Sequence, residues 1–172
     1  MEPVLRLRVR SAGAQRGMLE FGPFRWSCAL GRSGIRALKR EGDGASPRGS
    51  FAVLVAYYRA DKFSRLRTGV QLSRIFRYAG WCDAPSDRNY NRPVGLPYCA
   101  SAERMWRDDD LYDVVLVLDY NIRPRVRGAG SAIFLHIARN SYTPTEGCVA
   151  ISKRDMRMLL TRLRPGTHLV IP

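Results

Sequence analysis

Residues 133–139 read IFLHIAR, and residues 145–150 read TEGCVA. The apolar run over residues 132–135 predicts a buried strand that ends on His136. The second segment places Cys148 behind Gly147 in a turn, with a helix to follow. A histidine at the end of a strand and a cysteine in a nearby turn are typical of a Cys–His pair.

Strand patterns surround this segment on both sides. Apolar residues alternate with arginines over residues 5–10, and alternation recurs over residues 24–30, as in strands with one exposed face. Residues 51–58, 114–118 and 167–171 predict further strands. We find no repeat or linker that divides the sequence, so residues 1–172 are expected to form one domain.

A helix is predicted near the C-terminus. Ser152 is a candidate N-cap, with Asp155 three residues later. The apolar residues after it share one helical face: Met156, Leu159, Leu160 and Leu163. Pro165 and Gly166 are expected to end the helix. The predicted fold class is therefore α+β, β-dominated, with one clear C-terminal amphipathic helix.

Residues 61–107 show little periodicity and are rich in Arg, Pro, Asn, Asp and Tyr. Loops of this length are uncommon in compact domains unless they are functional or disordered. The aromatic residues Trp81, Tyr90 and Tyr98 argue against disorder. We expect a packed, lid-like insertion that faces the substrate.

The charge balance is strongly basic, with 29 Lys and Arg against 15 Asp and Glu, and a net charge of +14. Such an excess favours partners such as nucleic acid, anionic lipid or an acidic wall polymer. The basic residues are scattered along the chain, which weakens the case for nucleic acid. No apolar run could span a bilayer, and the arginines near the N-terminus do not fit a signal peptide.

The four cysteines and two histidines do not follow a zinc-binding pattern, so no metal site is predicted. Cys82 and Cys99 flank a loop-like stretch. They could form a disulfide in an oxidising compartment or simply be small, half-buried side chains.

Cys148 and His136 are the candidate catalytic residues. A neighbouring imidazolium would lower the pKa of the cysteine, and the histidine could later return a proton to a leaving amine. Backbone N–H groups around Gly147 could form an oxyanion hole. The alternative is an inert buried cysteine beside a hydrogen-bonded histidine. His136 precedes Cys148 by twelve residues, a spacing that fits neither papain-like enzymes nor sortases and caspases.

The chain does resemble the L,D-transpeptidase catalytic domain, the YkuD-like family, which carries a histidine, a short variable stretch and a Ser/Thr-x-Gly-Cys signature. Residues 46–51 are similar to the family's Thr-Pro-x-Gly-x-Phe entry to a core strand. The resemblance implies a mixed β-sandwich with a cleft under a lid, here residues 61–107. It makes Cys148 the nucleophile, His136 the base and Gly147 part of the oxyanion hole.

Three features depart from the family pattern. Glu146 stands where a second histidine is usual, Ala150 stands where an arginine is usual, and the interval between His136 and Cys148 is short. Arg139 is the candidate to replace the missing arginine. Pairing of Arg139 with Glu146 is the structural alternative.

Residues 81–83, 90–93 and 138–139 are similar to a proteobacterial subgroup associated with a crosslink from L-alanine to meso-diaminopimelate. The resemblance suggests these substrate-binding residues: Arg139, Glu146, Thr145, Trp81 and Tyr90.

The function implied is transpeptidation of peptidoglycan stem peptides in the periplasm, through a thioester and without a metal or cofactor. Carbapenem-type inhibitors would acylate the cysteine. Two alternatives remain: a thiol carboxypeptidase or endopeptidase of the same wall peptides, and a basic domain that binds nucleic acid.

Overall fold

β-strands dominate the computed structural model, which describes residues 3–172. Strands make up 38% of the chain and helix 8%, which confirms the β-dominated α+β class. The strands are β1 (Val4–Arg8), β2 (Arg16–Phe21), β3 (Phe24–Ala29), β4 (Ile35–Arg36), β5 (Ser46–Pro47), β6 (Gly49–Tyr58), β7 (Gln71–Arg74), β8 (Ala79–Cys82), β9 (Arg92–Gly95), β10 (Ala102–Arg104), β11 (Val114–Leu118), β12 (Phe134–Ile137), β13 (Val149–Ile151) and β14 (His168–Ile171). The helix α1 spans Lys153–Leu160, and short 3₁₀ turns span Asp110–Tyr112 and Asn140–Tyr142.

The large sheet has nine strands in the order β11-β12-β13-β3-β2-β1-β14-β6-β7. β11 also pairs with β6, so all of these strands except β7 form a closed ring. The ring replaces the two separate sheets that a sandwich implies. Closure satisfies the backbone groups that an open sheet would leave exposed at its edges.

Both faces of β11 and β12 are buried. Leu116 and Leu135 belong to the larger hydrophobic core, whereas Val115 and Phe134 belong to a second, smaller core. Successive side chains of a strand point to opposite faces. The continuous apolar run of residues 114–118 therefore reflects a strand that is covered on both sides.

Part of the insertion of residues 61–107 provides the cover on the second face. Its strands form a three-stranded antiparallel sheet in the order β10-β8-β9. Trp81 of β8 packs edge-on against Phe134 of β12, with 5.1 Å between ring centroids. The segment is thus packed, as expected from its aromatic residues, and its role as a lid stays a prediction.

The helix begins where the sequence predicts and ends earlier. Ser152 Oγ accepts a hydrogen bond from the Asp155 N–H at 3.1 Å, as expected of an N-cap. α1 ends at Leu160 instead of reaching Pro165, because the chain tightens there and the Arg162 N–H bonds to the Leu159 carbonyl. Leu163 is nevertheless buried with the helix's apolar residues in the larger core.

Candidate active site

Backbone atoms near the start of β12 fix the Cys148 thiol. β12 and β13 pair in parallel, with Leu135 opposite Val149 and His136 opposite Ala150. Cys148 therefore lies beside Phe134, on the strand face that His136 shares. Its Sγ accepts the Phe134 N–H at 3.3 Å and donates to the Ala132 carbonyl at 3.2 Å.

His136 lies inside β12, not at a strand end as the sequence suggested. The strand starts only at Phe134, because Ala132 has a positive φ of 51° that is incompatible with a strand. His136 Nδ1 lies 2.9 Å from the Ile137 carbonyl oxygen. Since a carbonyl only accepts, Nδ1 carries the proton in this bond and Nε2 keeps a free lone pair. The ring is thus in the tautomer that a general base requires.

The two side chains are diagonal neighbours on adjacent parallel strands. Both line one cavity of about 480 Å³. The Tyr112 ring packs against the His136 ring at 5.2 Å between centroids and restricts its orientation. The arrangement leaves room for a substrate carbonyl beside the thiol.

Burial favours the uncharged forms of both groups. It raises the pKa of the Cys148 thiol to about 12, and the negative charge of Glu103 adds to this effect. Burial also lowers the pKa of His136 to about 4, with smaller contributions from Arg107 and Arg139. Burial thus favours a resting pair of thiol and neutral imidazole over the thiolate and imidazolium expected from the sequence. Such a pair works by general-base catalysis, in which His136 takes the proton as the sulfur attacks.

The turn before Cys148 depends on Gly147. Its φ is +136°, and a Cβ there would lie 2.7 Å from the Ala45 carbonyl oxygen. The Gly147 N–H donates to Thr145 Oγ1 at 3.2 Å, and Thr145 Oγ1 donates to the Cys148 carbonyl at 2.6 Å. Within residues 3–172 the Cys148 N–H has no hydrogen-bond partner. It is the donor that is free to stabilise an oxyanion, whereas the Gly147 N–H would first have to leave Thr145.

Glu146 and Arg139 do not pair with each other. The Glu146 carboxylate binds Arg32 Nε at 2.8 Å, so the structural alternative for Arg139 is wrong. Arg139 is exposed at the rim of the cavity, and its guanidinium has no ion-pair partner in the described part of the chain. Thr145 and Glu146 also line the cavity. The Thr145 hydroxyl mainly stabilises the turn, through its hydrogen bonds to Gly147 and Cys148.

Trp81 and Tyr90 are buried and lie outside the cavity lining, and their role as substrate contacts stays a prediction. The Trp81 indole N–H donates to Asn91 Oδ1 at 2.9 Å. The Tyr90 hydroxyl donates to the Glu41 carboxylate and accepts the Gly130 N–H at 3.0 Å. Both aromatic residues therefore stabilise the cavity's surroundings.

Several charged lining residues had no clear sequence signal. Glu103 and Arg107 come from the aperiodic insertion, and Lys39 precedes a glycine-rich stretch at residues 41–49. Lys39 is only 8% exposed and binds Asp43 at 2.6 Å. In a segment without periodicity, the sequence does not show whether a charged side chain points into a cavity or into solvent. These lining residues could therefore not be predicted.

The remaining cysteines are free. Cys82 is buried and Cys99 is exposed, with no bond between them. In residues 3–172 no cluster of three or more His, Cys, Asp or Glu side chains could hold a metal. No helix of that range is long and apolar enough to cross a membrane.

Gly147→Ala is expected to destabilise the fold by about 1–3 kcal/mol and to reduce the reactivity of Cys148, because the new Cβ meets backbone and the positive φ becomes strained. Chemical denaturation measures the first effect and thiol modification the second. Gly95→Ala is the matched control, since a Cβ there meets nothing within 4 Å. Equal stability of the two variants would contradict this account of the turn.

Alkylation of Cys148 by iodoacetamide should rise by about tenfold per pH unit from about pH 6 to about pH 9. The reason is that the pKa of this thiol is raised to about 12, so its thiolate fraction grows over the whole range, while His136, with a pKa lowered to about 4, stays neutral. Peptide mass spectrometry resolves Cys148 from the exposed Cys99. A plateau for Cys148 over this range would indicate a preformed ion pair instead.

The family model of the L,D-transpeptidase catalytic domain, YkuD, matches residues 18–171. The match covers the large sheet from β2 to β14, the insertion, and both Cys148 and His136. Comparison with curated proteins and with solved structures found no match. The chain belongs to the L,D-transpeptidase catalytic domain family, YkuD.

Proposed function

We propose that this chain is a cysteine-dependent L,D-transpeptidase that transfers acyl groups between peptidoglycan stem peptides through a thioester on Cys148. The observation that carries the proposal is the placement of Cys148 and His136 on one strand face in one cavity, with the His136 Nε2 lone pair free. Membership of the family supports the substrate class.

In the first half-reaction, Cys148 Sγ attacks the carbonyl carbon of an L-centred residue in the donor stem while His136 Nε2 takes the thiol proton. The Cys148 N–H stabilises the oxyanion. The C–N bond then breaks, the leaving amine takes the proton from His136, and a thioester remains.

In the second half-reaction, the neutral amine of another stem peptide attacks the thioester carbon and gives a proton to His136. The C–S bond breaks, and the sulfur recovers its proton from the imidazolium. Water in place of the amine gives hydrolysis, the activity of a carboxypeptidase or endopeptidase. Neither half-reaction uses a metal or an organic cofactor.

The acceptor amine is proposed to be that of meso-diaminopimelate, and the donor residue L-alanine, as the subgroup resemblance implies. The reaction is proposed to take place in the periplasm, where the stem peptides of the wall are found. Arg139 is proposed to bind a stem carboxylate, because a guanidinium can make two parallel hydrogen bonds to it.

Incubation of purified sacculi with the protein tests the proposal. After muramidase digestion, mass spectrometry should show new crosslinked dimers with the parent and none with Cys148→Ala. Cys99→Ala is the matched control and should retain the activity, because Cys99 is exposed and lies outside the cavity lining. Shortened monomers without new dimers would establish the hydrolase instead, and salt-sensitive binding of DNA by both proteins without any wall product would favour the nucleic-acid alternative.

Arg139→Ala is expected to lower the crosslinking rate by about ten- to a thousand-fold while the protein stays folded, because the carboxylate loses its partner. Arg139→Lys should recover only part of the rate, since an ammonium cannot bind the carboxylate through two parallel bonds. The rate of dimer formation gives the comparison, with Arg154→Ala on the exposed face of α1 as the control. Rates for both Arg139 variants within about two-fold of the parent would show that another residue binds the carboxylate.

A further inference from the structure

One side of the cavity is acidic, although the protein as a whole carries a net charge of +14. Asp83 and Glu103, together called the acidic wall below, line the cavity with Cys148. Glu103 acts electrostatically on the thiol, so the acidic wall lies close to the nucleophile.

The small sheet of the insertion places both carboxylates on the same face. Glu103 of β10 is opposite Trp81 of β8, and Asp83, two residues after Trp81, donates its N–H to the Ser101 carbonyl at 3.2 Å. Residues two apart in a strand share a face. This is the face from which Trp81 packs against Phe134, the neighbour of Cys148.

The cations beside the acidic wall are bound elsewhere. Lys39 binds Asp43 at 2.6 Å, and Arg107 binds Asp109 through two nitrogens at 2.8 and 2.7 Å. Arg107 therefore acts on Glu103 only at a distance. The hydrogen-bond partner of Glu103 is the neutral Tyr112 hydroxyl, at 2.6 Å. No ion pair within residues 3–172 includes Asp83 or Glu103.

Two residues that line this cavity each carry a buried oxygen atom without a hydrogen-bond partner in the described chain: Asp83 Oδ1 and Ser131 Oγ. Ser131 is only 7% exposed. Its hydroxyl lies near the Tyr90 hydroxyl, but no hydrogen bond between the two side chains meets the geometric criteria. Unpaired buried polar atoms are costly, and a ligand that donates hydrogen bonds to them recovers that cost. Ser131 thus gives a second indication, independent of the charges, that a donor ligand binds here.

We propose that the acidic wall and Ser131 bind the primary ammonium group of the acyl acceptor. The ammonium gives one proton to the Glu103 carboxylate and then attacks the thioester as the neutral amine, and Glu103 later releases that proton to solvent. A primary ammonium has three donors and one positive charge, which match two carboxylates and one hydroxyl. This inference rests on the proposed function, since it assigns the acceptor's place relative to the thioester. It gives Asp83 and Glu103 the role of selecting an amine over water and over uncharged nucleophiles.

The charge preference of Cys148 tests the site without any enzymatic activity. The probes are the cationic 2-aminoethyl methanethiosulfonate and the anionic 2-sulfonatoethyl methanethiosulfonate, with modification of Cys148 and Cys99 resolved by peptide mass spectrometry. Because both probes react with the same thiolate, the ratio of their rates cancels the pKa of Cys148. The cation-to-anion ratio at Cys148 should exceed that at exposed Cys99 by about tenfold or more.

In the double variant Asp83→Asn/Glu103→Gln this preference should fall by about tenfold. Glu20→Gln is the control, because Glu20 lies on β2 outside the cavity lining and pairs with Arg8, and its ratio should stay within about two-fold of the parent. A preference for the anion in the parent, an unchanged ratio in the double variant, or no reaction of Cys148 with either probe would overturn the proposal. The comparison of Cys148 with Cys99 in the parent needs no variant to fold.

Turnover separates this inference from the proposed function. In Glu103→Gln, KM for the acceptor amine should rise about tenfold, and the ratio of hydrolysis to crosslinking should increase. A KM equal to that of the parent would reject the acceptor site alone. If the parent forms no acyl-enzyme, the proposed function fails, and the probe ratios still decide whether the acidic wall binds an ammonium group.

Discussion

The parallel pairing of β12 with β13 is the constraint on which the rest of the site depends. It places Cys148 beside Phe134, two residues from His136 on the same face. Parallel strands usually need a connection of a dozen or more residues, yet residues 138–148 make this one. This short connection contains positive φ values at Ser141, Tyr142 and Gly147. The short interval between His136 and Cys148, unusual for the family, is thus achieved by strained backbone.

The second consequence of this pairing is burial. Both faces of β12 are covered, one by the larger core and the other by Trp81 and Tyr112. Desolvation then keeps Cys148 and His136 uncharged, so the protein cannot rely on a ready thiolate. The hydrogen bond from Nδ1 to the Ile137 carbonyl compensates by presenting Nε2 as a base.

The sequence predicted the elements whose patterns are unambiguous. The run of residues 114–118 and the Ser152 N-cap have local causes, and both appear where expected. The Cys148–His136 pair was predicted because a histidine followed by a Thr-x-Gly-Cys turn resembles the family signature, although the interval between the two residues is short. The start of β12 could not be predicted, since apolar residues alone do not show that Ala132 leaves the strand conformation. Trp81 and Tyr90 were predicted to contact substrate because they lie in the insertion, but only the pairing of β8 with its neighbours determines that they face inward.

The central claim is that Cys148 carries the acyl group. The most direct measurement is to mix the protein with a tetrapeptide stem containing meso-diaminopimelate, quench in acid within one turnover, and map the mass increment by peptide mass spectrometry. The account predicts a thioester on the peptide that contains Cys148, and its disappearance when an amine acceptor is added before the quench. An increment on another residue, or wall turnover without any covalent intermediate, would contradict it.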